Sequence, residues 1–491
     1  MKIALIIPRN GLENEPSFYD LKFVSSFLFS RKYFSYLLAI PTLISLTPPG
    51  HEIRVFDENI EDIDYNWGAV LVGISVRTMF ATRAYEIADN FRKRGVKTIL
   101  GGIHPSFCPE EALEHSDSVV VGEAEGIWPE LLEDARNNRL RKIYQADSYA
   151  SLTSSSGAVR SLMSQKRYFA DIVQTTKGCP YTCEFCSVYA FDGQKIRNKP
   201  IDIVLREIRD IQCAGTQINK KSIFFADDNI IANKKYAIEL FRALQPYRLN
   251  WSCQASINIS KEDDLLRLMK DSGCGSILIG LESVSSQNLT RMNKRLNLRF
   301  NYLDAIQKIQ SYGILVHGSF ILGSDFDDLS AFDELIHFIK EAKLLMPLIN
   351  ILTPFPGTEL HKRLDAEGRI LHKEWSKYDA RHVVFKPALM SPEELADGYK
   401  KVIREVYSFE NIYNNLQYYW GLDFWRHSNK VSPVRFRLRM LFAARLFTLL
   451  GYKNPDRTKF IIKIFPRLFD RHVRLSTVLT LMAYNEFAYT V

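Results

Sequence analysis

The 491-residue chain predicts an α/β protein. It has an N-terminal doubly wound parallel sheet, then a partial (β/α)6 barrel, then a mainly helical C-terminal extension. Three observations carry this. Short apolar runs alternate with helical patterns through residues 1–150. A serine-rich stretch without periodicity, 151–168, then interrupts the pattern, and a second alternation of six strand–helix units fills 169–365. Buried parallel strands read as continuous apolar runs, and the helices that cross between them are amphipathic.

In the first half the strands are expected at 2–8, 51–57, 69–76, 96–100 and 118–121. A helix over 82–94 carries Ala84, Ile87, Ala88 and Phe91 on one face. Ligands of such sheets bind beyond the carboxyl ends of the strands. Here that edge holds Ser75, Thr78, Gly101, Gly102, His104, Gly122 and Glu123. In the second half the strands are expected at 171–176, 222–226, 250–255, 276–281, 315–322 and 348–352. A helix over 260–272 would take Ser260 as its N-cap and Gly273 as its stop. From 366 onward, Ser391 and Glu394 form a capping box that opens a helix running to about Tyr407.

Composition excludes several classes. With 46% hydrophobic and 24% charged residues the chain is globular rather than disordered. Its net charge of +8 is concentrated: 421–491 holds 13 Lys/Arg against 4 Asp/Glu, leaving the rest near neutral. In that tail Arg435, Arg437, Arg439 and Arg445 interleave with Phe436, Leu438, Leu441, Phe442, Leu446 and Phe447. This pattern suits an amphipathic helix on an anionic membrane surface, or a solvated face. It suits nucleic acid less, because the aliphatic runs are long. The apolar runs near 440–450 and 475–484 are about half of the roughly 18–20 residues a membrane span needs. Seven cysteines, odd in number and without an export signal, point to a reducing cytoplasm rather than a disulfide framework.

Three of those cysteines are clustered: Gly178-Cys179-Pro180-Tyr181-Thr182-Cys183-Glu184-Phe185-Cys186. Zinc would need a fourth ligand, usually from a second cysteine pair, and Cys108, Cys213, Cys253 and Cys274 stand alone. A cubane iron–sulfur cluster held by three thiolates keeps one iron free for a small molecule. The loop also follows the first strand of the barrel, at its carboxyl end, where such barrels carry their chemistry.

The run CxxxCxxC with Phe185 before the last cysteine resembles the signature of the radical S-adenosylmethionine (SAM) enzymes. The first half resembles the cobalamin-binding domain of one large branch of them, on three stretches: Val72–Val76 with Thr78, Gly101–Pro105, and Val121–Glu125. The resemblance spans roughly residues 1–400, and the 375–395 region is similar to an extension of that branch, which includes hopanoid methylases. It implies a [4Fe-4S] cluster on Cys179, Cys183 and Cys186. It implies SAM held by Phe185, Asp227, Asp228, Gln254, Ser256, Glu282 and Lys294, and cobalamin at Ser75, Thr78, Gly101, Gly102, Gly122 and Glu123. Two adjacent glycines would let the flat macrocycle approach the backbone. The loop after the first strand, Arg9 to Asn14, lacks the histidine that ligates cobalt in many cobalamin domains, and His104 reads as a structural residue.

The implied activity is a cobalamin-dependent C-methyltransferase acting on an unactivated carbon of a lipid-like or isoprenoid substrate, with an electron donor such as flavodoxin or ferredoxin. The alternatives are a radical cyclase, oxidase or coupling enzyme that transfers no methyl group, and a non-catalytic cluster sensor or scaffold. A cytoplasmic protein touching the inner membrane face through its basic tail completes the expectation.

Overall fold

The computed structural model describes residues 1–9, 35–154, 157–163, 167–214, 222–422, 455–468 and 475–490. The first sheet has six strands: β1 (Lys2–Ile7), β2 (Glu52–Asp57), β3 (Leu71–Ser75), β4 (Lys97–Gly101), β5 (Ser118–Val121) and β6 (Ile143–Gln145). All pair in parallel, in the order β2-β1-β3-β4-β5-β6. The order reverses between β1 and β3, which opens a crevice beyond their carboxyl ends. The short edge strand β6 has no counterpart in the sequence expectation; only Tyr144 of its three residues is buried, so its apolar signal is faint.

The expected 171–176 strand divides into β7 (Ala170–Val173) and β8 (Thr176–Lys177). The latter forms a two-stranded antiparallel hairpin with β9 (Arg197–Asn198), enclosing the cysteine loop. The barrel then continues through β10 (Ser222–Phe225), β11 (Trp251–Gln254), β12 (Cys274–Glu282), β13 (Leu315–Leu322) and β14 (Leu348–Ile351). Its six strands run in parallel, in the order β14-β13-β12-β11-β10-β7, so the barrel is partial as predicted. Alternate residues face the helices and are fully buried, such as Phe225, Cys253, Ile277, Val316 and Phe320. The opposite parity is half-buried and lines the lumen: Phe224, Ser252, Gln254, Leu278, Ser319, Ile321 and Asn350. The helix 263–271 starts from Glu262, not Ser260, because a 3-10 turn over 257–261 occupies the expected cap. Gly273 is the stop: its φ is +103°, and a Cβ there would stand 2.1 Å from the Leu249 carbonyl oxygen.

The described part of 151–168 is not a slack tether. Arg160 is buried and paired to Glu207 at 2.7 Å, and the Tyr168 hydroxyl donates to Asp57 at 2.7 Å. Beyond the barrel the chain returns to the first sheet, where Trp375, Tyr378 and Val384 share a core with Val72, Ala84 and Phe91. Further on, the helix Pro392–Val406 opens on the expected capping box and packs on the helix Ser330–Glu341 and on β14.

The helices Pro455–Leu468 and Leu475–Thr490 bury Phe460, Ile461, Ile464, Val478 and Leu481 with Leu315, at the amino end of β13. Within the 475–484 run Val478, Leu481, Met482, Ala483 and Tyr484 are therefore core. No helix of the described residues is long and apolar enough to cross a membrane. The basic residues Arg435, Arg437, Arg439 and Arg445 lie outside the described residues, as does the loop from Asn10 to Asn14.

Candidate active site

The cysteine loop leaves β8 through Gly178, whose φ is +90°. A Cβ at that position would stand 2.5 Å from the Lys195 carbonyl oxygen, so only glycine lets the hairpin close. Cys179 N–H donates to the Gly193 carbonyl at 3.1 Å, and Cys186 N–H to that of Cys183 at 3.1 Å. Two later segments pin the loop from outside. Glu184 N–H donates to Met292 O at 3.1 Å, and Asn293 Nδ2 donates to Thr182 Oγ1 at 2.8 Å. The Glu184 carboxylate takes the Arg363 guanidinium at 2.6 Å. Burial pushes all three thiols above the ordinary cysteine range, Cys186 to about 12. Without metal each keeps its proton, so the loop is a donor set suited to a thiophilic metal that displaces them.

Glu282 ends β12 with φ +65°, a left-handed conformation costly for a glutamate, where the β12–β13 register shifts. The turn directs its carboxylate to Lys294 Nζ at 2.9 Å. Burial lowers the Lys294 pKa, but Glu282 and the nearby Cys183 and Cys186 outweigh it, and the ammonium is held above its ordinary range. Gly280 makes room for this pair, since a Cβ there would stand 2.2 Å from Glu282 Oε1 and 3.1 Å from Lys294 Nζ. Behind it, the buried Asn297 donates to the carbonyls of Gly280 (3.0 Å) and Leu281 (3.2 Å). Sequence reasoning missed Asn297, because a lone asparagine after a helix carries no pattern.

The two adjacent aspartates after β10 separate. Asp227 is fully buried and turns away from the lumen, accepting from the hydroxyls of Thr175 at 2.9 Å and Thr176 at 2.7 Å and from the backbone N–H of Thr175 at 3.0 Å. It fastens the turn that launches the cysteine loop. Asp228 stays half-buried, and burial reinforced by Asp192 and Asp227 pushes its carboxyl up to about 7. Its charge is felt by Cys179 and Cys186, so it stands beside the loop. Gln254 is on the lumen face. Ser256 N–H donates to Asn229 Oδ1 at 3.1 Å, and Phe185 packs against the barrel core.

On the first sheet Ser75 is half-buried and Gly122 has open space where a Cβ would be, so a flat ligand can approach there. Gly101 ends β4 with ordinary contacts. Gly102 has a different reason to be glycine. A Cβ would stand 2.9 Å from the Val76 carbonyl oxygen, so the freedom serves close packing of the β3 and β4 ends. Thr78 is buried in the 3-10 turn 78–80. His104 is fully buried, 3.0 Å from the Tyr85 hydroxyl, edge-on to Trp375 and 3.7 Å from Glu111.

Glu123 is engaged within the protein. It takes both Arg197 nitrogens, at 2.7 and 2.8 Å, and Lys177 Nζ at 3.2 Å. Lys177 also pairs with Glu125. Lys177 and Arg197 are cross-strand partners in the β8–β9 hairpin, so the first sheet's carboxyl edge is clamped to the base of the cysteine loop. Phe107 meets Phe191 and Gly357 across the same boundary.

Three family models match the chain: the Radical SAM superfamily over 173–339, a B12 binding domain over 48–132 and a domain of unknown function over 358–490. The bacteriochlorophyllide d C-8(2)-methyltransferase of Chlorobaculum tepidum is 34% identical over 388 residues, 76% of this chain and 86% of that one. The C-12(1)-methyltransferase of the same organism is 32% identical, covering 78% and 86%. The hopanoid C-2 methylase of Rhodopseudomonas palustris is 28% identical, covering 67% and 64%. Among solved structures, the radical S-adenosylmethionine methyltransferase TsrM of Kitasatospora setae, with cobalamin and a [4Fe-4S] cluster bound, matches in fold. Its TM-score is 0.59 at 14% identity, over 95% of this chain and 99% of that one.

Proposed function

The chain belongs to the radical SAM superfamily, in the branch that also carries a B12-binding domain, and on that premise we propose that it methylates an unactivated carbon of an apolar, polycyclic small molecule. It is an enzyme of the methyltransferase kind, with a [4Fe-4S] cluster, SAM and cobalamin as cofactors.

When bound, these cofactors supply a carbon-centred radical and a methyl group; the protein supplies position. Cys179, Cys183 and Cys186 hold the cluster. Lys294, kept charged by Glu282, meets the SAM carboxylate. Asp228, with Gln254 and Ser256, receives the amino group and the ribose edge, and Phe185 walls the loop. Asp227 and Glu123 act as anchors of the loop rather than as ligands. Ser75, Gly101 and Gly122 face the corrinoid, with Thr78 and Gly102 shaping the edge from behind.

One observation carries the reading: the carboxyl edge of the first sheet is tied to the cysteine loop through Glu123, which supports two cofactors held on either side of one boundary. A carbon held between them is near both reagents, the arrangement that radical abstraction followed by methyl capture requires. An apolar substrate is supported by the lumen, where Phe224, Leu278 and Ile321 alternate with Ser252, Ser319 and Asn350. The relatives are named for bacteriochlorophyllides and hopanoids, both polycyclic and largely apolar. The electron comes from a small carrier such as a flavodoxin or ferredoxin. The basic 435–447 run, outside the described residues, is the segment whose composition would suit an anionic membrane face, in a cytoplasmic protein.

The test is anaerobic reconstitution with iron, sulfide, SAM, dithionite and methylcobalamin. The expected products are 5′-deoxyadenosine and, in a pigment and lipid extract, a compound heavier by one methylene. Cleavage of SAM with no such compound in any extract would remove methyl transfer; no cleavage by cluster-loaded protein would remove the whole reading.

A further inference from the structure

We propose that the basic surface around the cysteine loop, formed by Lys195 at one end and by Arg295 and Arg299 at the other, is the docking face for an acidic one-electron carrier protein. The inference rests on the radical SAM reading above and adds where the electron enters.

Residues 286–301 contain four cations, Arg291, Lys294, Arg295 and Arg299, and no acid. Lys294 is consumed by Glu282, and Arg291 is shared between Asp325 at 3.1 Å and Glu184 at 3.7 Å. Arg295 and Arg299 are exposed and make no ion pair among the described residues. This segment lies directly on the loop, because Met292 O and Asn293 Nδ2 hold Glu184 and Thr182. At the loop's other end Lys195 is exposed and equally without an ion pair among the described residues, while its own carbonyl packs on Gly178. Between the two ends Pro180 is exposed.

The alternative approach is closed. The first sheet covers it, and its Glu123 and Glu125 are paired with Lys177 and Arg197. A partner of negative charge is therefore excluded from one side and attracted to the other, which selects orientation as well as rate. Unpaired surface cations contribute little to the fold. Placed on the loop that holds the cluster, they are suited to a carrier that gives up one electron there and leaves oxidised by one.

The test uses the full chain with an oxidised bacterial flavodoxin as probe. Its affinity is measured by titration at low and at about 0.5 M salt, where screening shrinks the charge range to a few ångströms. The expected result is binding that weakens with salt, and about tenfold weaker binding for the double variant Lys195→Glu/Arg295→Glu. SAM cleavage driven by flavodoxin, its reductase and NADPH should fall in the same proportion, with dithionite-driven cleavage and iron content unchanged. The neutral variant Lys195→Gln/Arg295→Gln should fall between. Wild-type affinity in either variant overturns the docking face. So does loss of phosphatidylglycerol-vesicle binding with flavodoxin binding intact, which would give the surface to lipid. Failure of the underlying reading is visible separately, as wild-type protein that cleaves no SAM with dithionite.

Discussion

A left-handed glutamate, Glu282, and the glycine two residues before it set the electrostatics beside the cysteine loop. Gly280→Ala places a methyl 2.2 Å from Glu282 Oε1. Because that atom ends a flexible side chain, the fold absorbs the change while the Glu282–Lys294 pair is displaced. The variant should lose less than about 1 kcal/mol in urea unfolding yet bind SAM about tenfold more weakly by calorimetry. Asp327 gives a prediction of a different kind. It accepts from the backbone of Gly323 and Ser324, at 2.9 Å each, and from Asn288 at 2.6 Å, yet burial pushes it up to about 6. An unfolded aspartate titrates near 3.9, so between about pH 4 and 6 the folded chain holds a proton that the unfolded chain lacks. This group's contribution is best below that window and falls as pH rises through it, levelling above about 6. Asp327→Asn removes the dependence, so its stability relative to wild type should rise by about 2 kcal/mol from pH 4.5 to 7.5, read from urea midpoints. At this scale the cysteines were legible because three thiols within eight residues, on one loop, suit little besides a metal cluster. The aspartate pair was not, since adjacent identical residues give no sign of which one turns inward.

Among the elements, the β8–β9 hairpin is the one on which the loop depends. Gly178→Ala meets a carbonyl oxygen at 2.5 Å and a left-handed backbone together, so the hairpin cannot close around its neighbour. Bound iron per chain should fall by more than half in anaerobically purified protein, while far-ultraviolet circular dichroism stays unchanged. Gly398 sits inside the helix Pro392–Val406 against the Phe332 ring, where a Cβ would stand 2.1 Å from Cζ. Gly398→Ala gains helix propensity but overpacks that contact, and a net loss of about 1–3 kcal/mol is expected in the same urea assay. The capping box before this helix was readable from four residues because its chemistry is local. The hairpin was invisible: two residues per strand, separated by the whole cysteine loop, leave no period to detect. The Ser260 cap misled because a serine before a helical pattern cannot reveal that a 3-10 turn will take its place.

Across the whole molecule, one connection between the two halves is ionic and buried. Glu123→Ala would strand Arg197 and Lys177 at the boundary, at a cost of about 3–5 kcal/mol. Hydrogen exchange should then rise in both 121–125 and 176–198, whereas a ligand-site change would alter only the first. Sequence alternation revealed both sheets and the chain order of every strand but the edge strand β6, because each of the others carries its own apolar run. It could not reveal that Glu123 joins them, since a carboxylate at a strand end looks the same whether it meets a cofactor or a guanidinium.

The return of Trp375, Tyr378 and Val384 to the first sheet bears on how such proteins can be recombined. A chimera spliced only within 151–168 would import a foreign module without the aromatic plug that completes its core. Exchange of corrinoid modules between relatives therefore calls for a second transplanted piece, the stretch 375–386, with the intervening barrel left in place.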